Sequence, residues 1–169
     1  MLDILRMKVN KIDFNNLTYR HAVIGIVIDN TKSFLITQLV DYGENDWRFA
    51  GGGVEEGETS KSALYRELSE ELNSKAFKII KKSSFQIKYD WPISVIETRF
   101  RKKGKTFKGQ IQDQYLVKFM GNKKDIKIDP FEIRKIKWVK ISELKKHFNF
   151  PNQWPDAMRA IKELIPNII

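Results

Sequence analysis

Three consecutive glycines, Gly51-Gly52-Gly53, lie just ahead of a helix start and restrict this chain more than any other feature. A residue without a Cβ weakens strands and helices, so the run predicts a tight loop whose backbone a ligand can approach closely. Thr59-Ser60 then supplies an N-cap signal, and residues of good helix propensity continue to Leu72. Leu64, Leu68 and Leu72 recur every four residues and mark a buried stripe. Glu67, Glu70 and Glu71 fall at i, i+3 and i+4, as neighbours on one face. Carboxylates crowded in this way repel one another unless a cation offsets them. Their oxygens are the donors that hard divalent cations take, and Mg²⁺ usually completes its shell with water and substrate phosphates. Most such acidic stripes are simply solvated. The glycine loop and the fixed spacing set this one apart.

Counted from Gly52, the spacing is five residues to Glu58, then seven to Arg66-Glu67-Leu68, then one to Glu70-Glu71. This resembles the signature of the Nudix hydrolase family, G-x5-E-x7-R-E-U-x-E-E-x-G-U, where U is a bulky aliphatic residue. Every catalytic position is filled. Asn73 replaces the late glycine, and Asn is the next-best residue for a left-handed C-cap. Ser74 stands in place of an aliphatic residue, and Ala50 in place of a proline common before the glycines. The resemblance implies an α/β (mixed α+β) fold, an α/β/α sandwich whose central mixed sheet carries the loop and helix. It implies Mg²⁺ (or Mn²⁺) held by Glu67, Glu70 and Glu71, with the Gly52 carbonyl and Glu132 as further ligands. Among the catalytic set Glu70, Glu71, Glu132 and Arg66, either Glu71 or Glu132 would take a proton from the attacking water. Arg66 would pair with Glu58 and pin the loop to the helix.

Shorter patterns follow in order: Tyr19-Arg20, Tyr89-Asp90-Trp91-Pro92, Gly109-Gln110-Ile111-Gln112, and Glu132 six residues before Trp138. Over residues 19–148 they are similar to a subgroup containing bacterial RNA 5′-pyrophosphohydrolases and asymmetric diadenosine tetraphosphate hydrolases. The implied partner is a nucleotide polyphosphate or an RNA 5′ end. Arg20 and Arg48 are candidates for phosphate contact, and Tyr89 and Tyr115 for stacking on a base. Gln110 and Gln112 share a strand face and could orient a phosphate or a base edge. The plainer readings are solvated arginines, core aromatics and structural hydrogen bonds. Val40-Asp41 stands where RNA-acting relatives carry basic residues, and Phe148 to Trp154 does not match their base-contacting segment. The substrate is therefore open between an RNA end, a dinucleoside polyphosphate, a nucleotide sugar and a nucleoside triphosphate. The alternative is a silent Nudix-fold module that binds nucleotide or RNA without turnover. Three intact carboxylates favour an enzyme.

The 169 residues suffice for one domain, 1–169, with 1–18 as a loose arm or short edge strand. With no cysteine there is neither a disulfide framework nor a zinc-thiolate site, which fits the cytoplasm. The first residues lack the apolar run and cleavage site of a signal peptide. No segment has the length of a membrane span. The net charge of +10 suits a polyanionic partner or a solubilising lysine surface, and the lysines are spread rather than gathered in one arm. Lys102, Lys103, Lys105 and Lys108 read as a solvated turn. Apolar and β-branched runs predict strands over 21–28, 33–40, 47–49, 77–88, 93–100, 110–120 and 136–140. Ser142 is expected to cap a helix through Phe148. Pro155 should open a last helix over 155–165, with Ala157, Ile161 and Leu164 on one side. His21 and His147 have no evident partner, and nothing in the sequence bears on the oligomeric state.

Overall fold

The computed structural model describes residues 12–168, so most of the arm expected over 1–18 lies outside the described residues. In chain order the elements are β1 (Tyr19–Ile28), β2 (Phe34–Leu39), β3 (Ala50–Gly53), α1 (Ser60–Leu72), β4 (Phe77–Lys82), β5 (Ile87–Asp90), α2 (Ile93–Lys103), β6 (Gly109–Phe119), β7 (Ile133–Val139), α3 (Ile141–Leu144) and α4 (Gln153–Leu164). Strand β1 is the hub. It runs parallel to β6 and antiparallel to β2 and β3. Outside these, β4 and β5 both pair with β6, and β7 pairs with β2.

Successive side chains of a strand point to opposite faces, so β1 feeds two cores. Val23 and Val27 pack with Leu64, Leu68 and Leu72 of α1. Ile26 packs on the other face with Ala157, Ile161 and Leu164 of α4 and Leu144 of α3. Each fully buried leucine contributes about 1.5–3 kcal/mol by leaving water. The result is the expected mixed α/β sandwich, with a seven-stranded sheet between α1 and the two C-terminal helices. Among the described residues no helix is long and apolar enough to cross a membrane.

Five local expectations need correction. The glycines form a strand, not a loop: Ala50 to Gly53 lie opposite Gly25 to Ala22 of β1. Their lack of side chains lets the β1 backbone, Glu67 and Arg20 approach that strand closely. The strand expected at 47–49 is reduced to a single bridge between Arg48 and Thr37. The long strand expected over 77–88 is broken between β4 and β5. There the Glu163 carboxylate of α4 accepts from the Ser83 hydroxyl (2.5 Å) and the Ser84 amide (2.7 Å) and holds the bend. The stretch 93–100 is helix α2. The β5–β6 ladder ends at Asp90 opposite Gly109, so later residues have no strand to pair with and satisfy their backbone internally. Pro92 precedes the helix, and Gly104 closes it with φ 67°. Finally, α3 begins before Ser142, with the Glu143 carboxylate accepting from the Lys140 amide (3.3 Å), and continues as a 3₁₀ turn to His147.

His21 does have a partner, which only the sheet reveals. Its Nε2 lies 3.1 Å from Oδ2 of buried Asp113 on β6. Lys82 (3.0 Å) and Gln86 (2.9 Å) converge on the other oxygen. Burial alone would raise this carboxyl, but hydrogen bonds from Gln86, Lys82, Ser60 and His21 bring it from the ordinary 3.8 down to about 2. A depressed carboxyl stabilises the fold above its unfolded pKa, and that contribution is lost as pH falls through the folded value. Asp113→Asn should therefore cost about 2 kcal/mol at pH 7 in urea unfolding, with the gap to the parent closing between pH 4 and pH 2. An undiminished gap at pH 2 would refute this assignment.

Candidate active site

The site is assembled where β3 lies across the start of α1. Thr59 caps the helix, its hydroxyl accepting from the Ser62 amide (3.1 Å). Asn73 ends the helix in the left-handed conformation, φ 50° and ψ 38°. Between these caps, Arg66 reaches back toward the glycines. It donates in a fork to Glu58, Nε to Oε1 at 2.8 Å and Nη2 to Oε2 at 2.9 Å. It also donates to the Gly53 carbonyl (2.9 Å), to Glu67 (3.0 Å) and to Glu70 (3.0 Å). The Arg66 hydrogen bonds hold Glu58 at about 2, and the Glu58 pair raises Arg66 in turn. The loop is thus pinned to the helix as the resemblance implied.

The three helix carboxylates occupy different surroundings. Glu70 is half exposed, whereas Glu67 is largely covered and Glu71 is buried, 1% exposed. The Glu67 carboxylate sits over the α-carbon of Gly52, where a methyl group would overlap it. Glu71 turns beneath the glycine strand. It accepts from the Gly51 amide (3.2 Å) and pairs with Arg48, whose other nitrogen donates to the Gly51 carbonyl (2.5 Å). Burial pushes Glu71 up to about 7 against the pull of Arg48 and the Gly51 amide, and the charges of Glu67 and Glu132 add to the rise. Burial likewise raises Glu67. Glu132 is exposed, on the loop before β7. That loop hangs on the end of α1 through Lys127 N–H to Leu72 O (3.1 Å) and Asp129 N–H to Glu71 O (3.0 Å).

Among the described residues no three carboxylate or imidazole side chains converge on one point. Arg48 and Arg66 divide the acids between them. The donor set nevertheless fits Mg²⁺ or Mn²⁺ in kind. Two desolvated carboxylates, Glu67 and Glu71, flank one glycine backbone, and burial raises both. Oxygen donors and an unmet demand for positive charge are what a hard cation answers.

The sheet brings four of the six substrate candidates into one network. Register places Arg20 beside Gln110, and Tyr89 opposite Gln110. Arg20 lies against Gly53 and donates to Gln110 (3.2 Å). Gln110 (2.6 Å) and Gln112 (3.3 Å) donate to the Tyr89 hydroxyl, and the Tyr89 ring is exposed. Arg48 lies apart from this group, on Glu71. Tyr115 is buried in the core, with its hydroxyl 2.8 Å from that of Ser60, so its ring offers no free face to a base. A cleft of about 550 Å³ opens beside the site, between Gly53 and Glu67 on one side and Arg99, Lys103 and Lys105 on the other. Sequence reading missed Arg99. The signal was there in Pro92 and Gly104 as helix punctuation, with Arg99 and Lys103 one turn apart between them.

The NUDIX domain pattern matches residues 18–161. An RNA pyrophosphohydrolase of Pelagibacter ubique is 30% identical over 164 residues, spanning 94% of this chain and 99% of that one. The Escherichia coli dihydroneopterin triphosphate pyrophosphohydrolase superposes with a TM-score of 0.67 at 19% identity, over 89% of this chain and 99% of its own. A Caenorhabditis elegans Ap4A hydrolase superposes at 0.61 with 20% identity, over 85% and 95%. At such identities these two structures speak for the fold alone. The filled signature, the pinned glycine strand and a domain match across most of the chain place this protein in the Nudix family.

Proposed function

We propose that this Nudix pyrophosphohydrolase breaks a P–O–P bond in a polyphosphate carried by a nucleotide, with an RNA 5′-triphosphate end as its substrate. The observation that carries the reading is the pair of desolvated carboxylates, Glu67 and Glu71, facing one glycine backbone beside a cationic cleft. The RNA end is favoured by the Pelagibacter relative, which aligns over nearly its whole length. A dinucleoside polyphosphate is the second reading. The exposed Tyr89 ring, with Gln110 and Gln112 bonded to its hydroxyl, forms a group able to hold a base from either substrate.

Glu67, Glu70, Glu71, Glu132 and the Gly52 carbonyl would hold Mg²⁺ or Mn²⁺. When bound, the ion neutralises phosphate charge and lowers the pKa of water. The protein's own groups do the rest. Glu71, buried beneath the glycine strand, serves as the base for the attacking water. Arg48 and the Gly51 amide keep its oxygens in place. Arg66 keeps Glu67 and Glu70 on the strand side of α1. Arg20, beside Gly53, meets the phosphate chain.

Incubation with Mg²⁺ and 5′-triphosphorylated RNA should release pyrophosphate, or two phosphates in succession, and leave a 5′-monophosphate. Diadenosine tetraphosphate, nucleotide sugars and nucleoside triphosphates, assayed in parallel, should be slower. Faster cleavage of diadenosine tetraphosphate moves the assignment to the second reading. Release from none of them, with the substrates still bound, would mean a binding module.

A further inference from the structure

Arg20, Arg99, Lys103 and Lys105 line one cleft. Among the described residues none of these four cations pairs with a carboxylate. Arg20 is half-buried, and its side chain bonds only to the Gln110 amide among those residues. Its guanidinium is driven down by burial and then by the charge of Arg99, so two like charges face each other here at a cost to the fold. Arg99 is not a loose surface arginine. Its guanidinium lies 4.6 Å from the centre of the Trp91 ring, and Trp91 in turn meets Phe107 edge-on. Aromatic packing thus aims Arg99 at the cleft and spares it the entropy of ordering on binding. Lys103 follows one turn later on α2, about 6 Å along the helix. The acids of the cleft come from elsewhere, Glu55 and Glu56 from the turn after the glycine strand and Glu67 from α1, which leaves the α2 wall positive.

A row of cations longer than one phosphate, opening onto Glu67, suits an extended polyanion. We propose that Arg20, Arg99 and Lys103 form a polyphosphate clamp that makes the enzyme select chains of three or more bridged phosphates over two. This rests on the function proposed above and adds the chain length. Arg20 serves the phosphate nearest the glycines, and the α2 residues serve those beyond it. A diphosphate would span fewer of these cations than a longer chain does.

The test measures binding of inorganic tripolyphosphate and inorganic pyrophosphate by calorimetry, in metal-free buffer at fixed ionic strength. No turnover is needed, so a protein that hydrolyses nothing still answers it, and failure of the clamp is distinct from failure of the activity. The parent should bind tripolyphosphate about tenfold more tightly than pyrophosphate, as expected for an additional charge-assisted pair. Arg99→Gln and Lys103→Gln should each erase most of that preference while changing pyrophosphate affinity by less than about twofold. Lys162→Gln, on α4 and outside the cleft, removes the same charge and should leave the preference intact. Lys103 is exposed, so its replacement does not endanger folding. Equal affinity of the parent for the two anions would overturn the clamp. So would an unchanged preference in both α2 variants, or the same loss in Lys162→Gln, which would mark general attraction to a chain of charge +10.

Discussion

Glu71→Gln should lower the hydrolysis rate by about 10² to 10⁴ while shifting the melting temperature by only a few degrees. The two halves of this expectation have one cause. Burial raises the Glu71 carboxyl to about 7, so the site resists its charge even with Arg48 alongside. A neutral side chain of the same shape is therefore tolerated. The glutamine oxygen still accepts from Arg48 or the Gly51 amide, and no cavity opens. What disappears is a carboxylate able to hold the ion or take a proton from water. Glu71→Ala would behave differently, leaving Arg48 half-buried without its partner, and breaking a buried pair in that way costs about 3–5 kcal/mol. Single-turnover rates and thermal melts on both variants separate chemistry from folding. A glutamine variant turning over at near the parental rate would remove Glu71 from the chemistry and shift attention to Glu132.

The second large effect is on stability. Gly51→Ala should destabilise the fold by at least about 3 kcal/mol, enough to leave a marginal domain largely unfolded at 37 °C. Gly51 has φ 143°, which side chains rarely adopt, and a methyl group there would overlap the Val23 carbonyl of β1. Backbone on both sides means that neither neighbour can give way. Gly57 is the control. It also has positive φ, 82°, but nothing lies within 4 Å of an added methyl group. Gly57→Ala should cost only the strain, about 1 kcal/mol. Urea unfolding of the two variants tests the difference. Similar losses would mean that strain alone acts at Gly51 and that β3 can move away from β1.

Much of the fold could be read along the chain. The stripe of Leu64, Leu68 and Leu72, the Thr59 cap and the Asn73 terminus define α1 through contacts within one turn, and those are local by nature. The strands with alternating or continuous apolar runs, β1, β2 and β6, were visible for the same reason. Helix α2 was not. Ile93, Val95, Ile96 and Thr98 are β-branched, and propensity favoured a strand until the sheet supplied no edge for it to join. Propensity is a weak preference, and an unpaired backbone overrides it.

The acidic cluster divides in the same way. Spacing fixed the placing of Glu67 and Glu70 on one side of the helix beside Arg66, because i to i+4 geometry needs no other part of the molecule. Spacing could not say that Glu71 turns under the glycine strand to Arg48 while Glu70 stays in water. That depends on β3 crossing α1 and on desolvation, which is a property of everything packed around a group rather than of its neighbours in sequence. The partnership of His21 with Asp113, the meeting of Arg20 with Arg99 and the approach of Glu132 to Glu71 likewise join residues 92, 79 and 61 positions apart. The order of the chain set the acids and the glycines close together. Which of those acids lose water was decided only when the sheet closed over them.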